Sequence, residues 1–285
     1  MRAFHVNWTR PFTARFPDAA YAIEPFELLT TMLSALSWRA TGGSITLFTD
    51  TCGAAYYRAC GLESLWDDGI RPLPPIPSTV DPQVFWAAGK LYALSGMDAP
   101  CVMLDTDFIV WRDIAPLCTQ TDAAVIHFEP LDPAIYPDRS ALHASPPFDL
   151  GALDWTVPAC NTALAYFGDA ALKADYTLHA QAFMEHAPEA CDPLIYMVFA
   201  EQRLLAMRCA ARGSKLVALA ALPALFSHHQ TYFTHVWGYK QHLRTNQRVH
   251  DDFCRRCASR LARDYPAEAA IAAHVPLLTP YFKTT

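Results

Sequence analysis

Apolar positions along this chain recur with two periods that alternate from one end to the other. The segment "AFHV" reads as a short strand. "EPFELLTTMLSALSW" then spaces Phe26, Leu29, Leu33 and Leu36 as one helix face, with Pro25 suited to a first helical turn. "TGG" turns the chain into "SITLFTD", an apolar strand with a polar end. "PQVFWAAGKLYALSG" predicts a helix, and "PCVMLDTDFIVWRDI" predicts a strand that runs into two aspartates. "DAAVIHF" and "TALAYFGD" read as further strands, and "DPLIYMVFAEQRLLAMRCAARG" as a long apolar helix closed by Gly213. "KLVALA" reads as a last strand, and from "YKQHLRTNQRVHDDFCRRCASRLARDY" the chain is helical and polar-faced.

Such alternation predicts an α/β fold with a mostly parallel sheet covered by helices on both sides. In sheets of that kind ligands bind at the carboxyl ends of the strands, where Asp105 and Asp107 fall. The expected organisation is a ligand-binding unit over residues 1–240 with a helical extension over 241–285 packed on it. Residues 129–160, rich in Pro and Asp, show no period. Connections longer than about 12–15 residues are usually functional or disordered, and Tyr136, Phe148 and Trp155 point to an ordered binding loop.

Composition narrows the classes. With 285 residues, 52% of them hydrophobic, the chain can bury a full core. A net charge of -6 argues against a general nucleic-acid binder. No run approaches the roughly 18 apolar residues of a membrane span, and "MRAFHVNWTRPFTARF" lacks the pattern of a secretory signal. Nine cysteines scattered through apolar stretches read as free thiols in a reducing compartment, hence a cytoplasmic protein. His250, Cys254 and Cys257 share a helix face, but three ligands on one helix make a poor zinc site, and an ordinary amphipathic helix explains them.

The acid pair carries the chemistry. On a strand, residues i and i+2 point the same way and lie about 7 Å apart. Two carboxylates that close repel unless a cation sits between them or one is protonated. A hard divalent ion satisfies both; the other reading is a pair of strand-end caps bonded to backbone. Glu201 and Gln202 interrupt an apolar helix, so they lie either on its exposed stripe or at a site. Lys90 is either a solvated helix residue or a neighbour of the acids, and Asn161 either a backbone cap or a ligand contact.

In order, "VMLDTD", "CNTALAYF", "AEQRLLA" and "THVWGYK" resemble the D-x-D, N-[ST]-G, D-Q and H-x-x-G-x-x-K motifs of GT-A nucleotide-sugar glycosyltransferases, especially retaining family 8. The likeness spans about residues 45 to 245 and is one of motif order rather than identity. It implies a GT-A, Rossmann-like catalytic domain. It also implies a nucleoside diphosphate sugar donor (a UDP-sugar), transfer with retention to an unidentified acceptor, and a Mn²⁺ or Mg²⁺ cofactor. By the same resemblance Asp105, Asp107 and His235 would hold the ion, with His229 as the alternative to His235. Thr106 lies between the two acids, and Gly238, Lys240 and Lys90 would meet the diphosphate. Asn161, Glu201 and Gln202 would serve the sugar and its anomeric carbon. Thr49 and Asp50, with Tyr56 or Tyr57 nearby, are candidate base or ribose contacts. Ala163 stands where the family has glycine, Glu201 where it has aspartate, and Arg203 where an acid is usual. The competing readings are a haloacid dehalogenase-like phosphatase and a non-catalytic sugar-binding protein of the same shape.

Overall fold

The computed structural model describes residues 1–187, 192–225, 227 and 231–282. Its strands are β1 (Arg2–Asn7), β2 (Ser44–Thr49), β3 (Ile70–Pro72), β4 (Cys101–Leu104), β5 (Phe108–Val110), β6 (Ala123–Val125), β7 (Phe128–Glu129), β8 (Ala159–Cys160), β9 (Leu164–Phe167), β10 (Leu216–Ala218) and β11 (Phe233–His235). Seven of them form the main sheet in the order β10-β6-β9-β4-β1-β2-β3. Every pairing is parallel except those of β9, which runs antiparallel to both β4 and β6. β5–β11 and β7–β8 are separate two-stranded ribbons.

Strand alternation divides the core in two. On β4, Val102 and Leu104 face one layer while Cys101 and Met103 face the other. The first layer holds helix Pro25–Ala40 and the C-terminal helices, the second helices Ala88–Ser95 and Ala170–Glu185. Leu243, Cys254, Leu261 and Leu278 share one core with Phe26 and Leu33, and helix Tyr239–Thr245 runs across residue 240. The eight described cysteines are free, and Cys254 and Cys257 are buried helix-face residues. Among the described residues no helix is long and apolar enough to cross a membrane.

Three elements depart from the periodicity. The helix expected from Pro82 onward begins only at Ala88, because the Asp81 carbonyl and carboxylate close turns onto Gln83, Val84 and Phe85. "DAAVIHF" splits between β6 and β7, which belong to different sheets. The long apolar helix does end at Gly213, with φ 65, but Phe199–Arg203 inside it is a π turn.

β1 pairs with β2 on one side and β4 on the other, so successive chain crossings leave in opposite directions between β1 and β4. A crevice opens at the carboxyl ends of strands at such a switch point.

Candidate active site

The acid pair sits at that crevice, on a turn rather than on the strand expected for it. β4 stops at Leu104, the Phe108 N–H donates to the Asp105 carbonyl at 3.0 Å, and β5 follows. Two further bonds hold the turn: Asp105 N–H to the Ala163 carbonyl at 2.7 Å, and Val236 N–H to the Asp107 carbonyl at 3.2 Å. The convergence of the two acids therefore comes from turn geometry, not from strand pleat. β11 runs antiparallel to β5 with His235 opposite Phe108, which carries the imidazole to the same turn. One ligand atom each of Asp105, Asp107 and His235 lie within 4.8 Å of one another.

Each carboxylate faces its own lysine. Lys90 Nζ is 2.6 Å from Asp105 Oδ1 and also pairs with Glu201. Lys240 Nζ is 3.0 Å from Asp107 Oδ2, and His235 Nε2 is 3.8 Å from the same oxygen. That oxygen is buried and accepts no well-aligned hydrogen bond, so its contact with Lys240 is ionic. Burial alone would raise the Asp107 carboxyl, but the Lys240 ammonium more than offsets it and holds the group below its ordinary range. Burial works against the charge on Lys90, yet Asp105 and Glu201 keep it protonated and raise its pKa. Glu201 is raised by burial, which Lys90 only partly opposes. Burial lowers His235 despite the pull of Asp107, favouring the neutral ring that ligates metals. Two carboxylates, one with a buried and unsatisfied oxygen, and a neutral imidazole form a donor set that fits Mn²⁺ or Mg²⁺.

Two adjoining cavities open here, of about 230 and about 260 Å³, sharing Trp86, Lys90, Asp105, Asp107 and Lys240. The first runs to Asn7, Trp8 and Thr106, the second to Asn161, Glu201, Gln202, His235 and Trp237. Larger depressions lie along loop residues 139–151 and between residues 56–61 and 271–277, away from this cluster. The π turn explains how an apolar helix delivers polar groups: the extra residue rotates Glu201 inward, where Thr162 Oγ1 donates to its Oε1 at 2.8 Å. The Tyr136 hydroxyl, from the long loop, donates to Gln202 Oε1. Asn161 is buried, its Oδ1 accepting from Ala163 N–H at 3.2 Å and its Nδ2 donating to Glu129 Oε1 at 3.4 Å.

Other expected contacts do not join the cleft. Asp50 caps helix Thr51–Ala59 through Gly53 N–H at 3.0 Å and accepts from Thr9 N–H at 2.8 Å, so both its oxygens are committed. Thr49 is buried, its hydroxyl donating to the Asn7 carbonyl at 2.6 Å. Tyr57 packs in the core against Trp66, and Tyr56 against Tyr21. Gly238 is exposed, and a Cβ added there would meet no atom within 4 Å, so nothing here demands a glycine. His229 lies outside the described residues.

Sequence reasoning missed Asn7, Trp8, Trp86 and Trp237 as lining residues. The end of β1 was findable from the switch-point rule. Trp237, whose φ of 30 is rare for a bulky side chain, lies inside the "THVWGYK" stretch and stacks beside His235.

No protein-family model and no curated protein matches this chain. Among solved structures it is similar to the glycosyltransferase GlyE of Streptococcus pneumoniae TIGR4, at 9% identity and TM-score 0.40 over 79% of this chain and 46% of that one. It is similar to the galactosyltransferase LgtC in complex with donor and acceptor sugar analogs, at 10% identity and TM-score 0.41 over 79% of this chain and 74% of that one. Mouse xyloside xylosyltransferase 1 matches at 9% identity and TM-score 0.40 over 100% and 94%. The chain thus spans less than half of GlyE. At these scores the functional reading rests on the chain's own side chains.

Proposed function

We propose that this chain is a GT-A glycosyltransferase, dependent on Mn²⁺ or Mg²⁺, that moves a sugar from a nucleoside diphosphate donor, a UDP-sugar, to an acceptor. The observation that carries the reading is the Asp105–Asp107–His235 cluster at the switch-point crevice, lining the same cavity as Glu201 and Gln202. Asp105, Asp107 and His235 would hold the ion, which when bound supplies Lewis-acid stabilisation to the departing nucleoside diphosphate. Lys240 and Lys90, drawn off their carboxylates, would turn their charge toward the diphosphate oxygens. Gln202 and Asn161 would orient sugar hydroxyls, and the Glu201 carboxylate would face the positive charge that develops at the anomeric carbon.

Retention of configuration is part of the proposal. An inverting enzyme needs a general base free to reach the acceptor hydroxyl. Glu201 is buried and bonded by the Thr162 hydroxyl, while Asp154 caps a local turn and Asp192 the helix Pro193–Val198, both away from the cleft. The free cysteines support a reducing compartment, the cytoplasm.

Asp105→Asn or Asp107→Asn should abolish Mn²⁺-dependent hydrolysis of UDP-sugars while the far-ultraviolet circular dichroism stays as in the wild type. Undiminished turnover in either variant would remove the ion from the mechanism.

A further inference from the structure

The core beneath the acid turn carries a run of polar groups that packing does not require. His5 on β1 and Ser34 on helix Pro25–Ala40 are both 0% exposed, and Trp66 is buried beside them. The Trp66 indole N–H donates to His5 Nδ1 at 3.2 Å. An indole can only donate, so Nδ1 must accept and the proton of the neutral ring stands on Nε2. Nε2 lies 3.0 Å from Ser34 Oγ, and Ser34 passes its own hydroxyl proton toward the Phe108 carbonyl at 2.5 Å. The same hydroxyl is 3.5 Å from the Asp105 carbonyl. The run therefore has one direction and ends on the two carbonyls that bracket residues 105–108.

Burial pushes the His5 ring down to about 3, against a weaker opposing pull from Asp107, which keeps the ring neutral and the direction fixed. Buried polar groups are costly unless all are satisfied, and a satisfied network rigidifies what it touches. The Ser34 bond adds a tether from the helix layer to a turn otherwise held by Ala163, just before β9, and Val236, just after β11.

We propose that Trp66, His5 and Ser34 form a positioning relay that fixes turn 105–108 so that the Asp105 and Asp107 carboxylates converge on one divalent cation. The relay rests on reading Asp105, Asp107 and His235 as a cation site. Groups behind metal ligands commonly tune affinity by about 10–100-fold.

The test titrates Mn²⁺ alone, without nucleotide, into the full chain by calorimetry and records Tm in parallel. Ser34→Ala should raise the Mn²⁺ Kd about tenfold. Trp66→Phe, which removes the far donor while leaving an aromatic ring in place, should raise it about two- to threefold, and carries the test if Ser34→Ala does not fold. Leu172→Ala, a truncation in the opposite core layer, should lower Tm while leaving the Kd within about twofold of the wild type. An unchanged Mn²⁺ Kd in Ser34→Ala and Trp66→Phe, with Tm lowered, would make the relay plain core structure and overturn the proposal. Failure of the wild type itself to bind Mn²⁺ would instead overturn the cation site, and the relay with it.

Discussion

One wall of the cleft is sheet and the other is loop, and they are held by different forces. On the sheet wall, β1 and β4 end side by side, and turn 105–108 is bonded to Ala163 just before β9, to Val236 just after β11 and to helix Pro25–Ala40. Charges there come as pairs, Lys90 with Asp105 and Glu201, Lys240 with Asp107. On the other wall, residues 129–160 are bonded to the π turn Phe199–Arg203 and its helix by side chains of Tyr196, Gln202 and, most extensively, Arg203. Arg203 is 3% exposed and donates to the carbonyls of Tyr136 at 3.2 Å, Pro137 at 2.6 Å and Trp155 at 2.9 Å. Its guanidinium lies 4.8 Å from the Trp155 ring, which stacks on Phe199. Among the described ion pairs no carboxylate meets it. The sheet wall is thus fixed by backbone and paired charge, the loop wall largely by carbonyl dipoles around a cation that has no carboxylate partner.

The largest effect expected from breaking this contrast is at Lys90. Lys90→Met leaves Asp105 and Glu201 facing each other without their shared cation, and breaking a buried pair from one side costs about 3–5 kcal/mol. Urea unfolding measures it; a loss under about 1 kcal/mol would mean that solvent already screens the pair.

Arg203→Met should cost less, about 2 kcal/mol, since bonds to a charged donor are lost while a buried charge is relieved. Its signature is local. Proteolysis within residues 129–160 should accelerate while the Mn²⁺ affinity of the sheet wall is unchanged. Protection of the loop equal to wild type would show that packing of Tyr136 and Phe148 suffices without the Arg203 guanidinium.

Acid should weaken the sheet wall first. His5 stays neutral in the fold down to about 3 but titrates near 6.5 when unfolded. The unfolded state therefore binds the extra proton, and stability falls as pH drops through that window, by about 2 kcal/mol between pH 7 and pH 5. Asp107, depressed in the fold, adds its own loss only at lower pH, as its carboxylate is protonated. His5→Gln should flatten the slope between pH 7 and pH 5; an undiminished slope would place the titrating group elsewhere.

The same contrast governs what could be read from the sequence. The sheet wall was legible because strand and helix periods are local, and they placed β1, β2, β4 and the acids at the ligand end of a parallel sheet. Lys90 was singled out, but its double pairing with Asp105 and Glu201 depends on a helix phase set by where residues 82–87 stop turning. Asp50 looked like a ligand group because it ends an apolar strand; helix capping has the same composition and claimed it. The loop wall was recognisable only as an irregular segment. Nothing local predicts that Arg203 would bond three carbonyls up to 67 residues away, or that a π turn would swing Glu201 inward. Such contacts are decided by tertiary packing.

On the proposed function, the acid pair binds a cation which in turn holds a nucleoside diphosphate. Calorimetric titration of UDP into the wild-type chain, once with Mn²⁺ and once with chelator, tests it most directly. Binding is expected with Mn²⁺ and none with chelator. Equal affinity in both, or no binding in either, would contradict it.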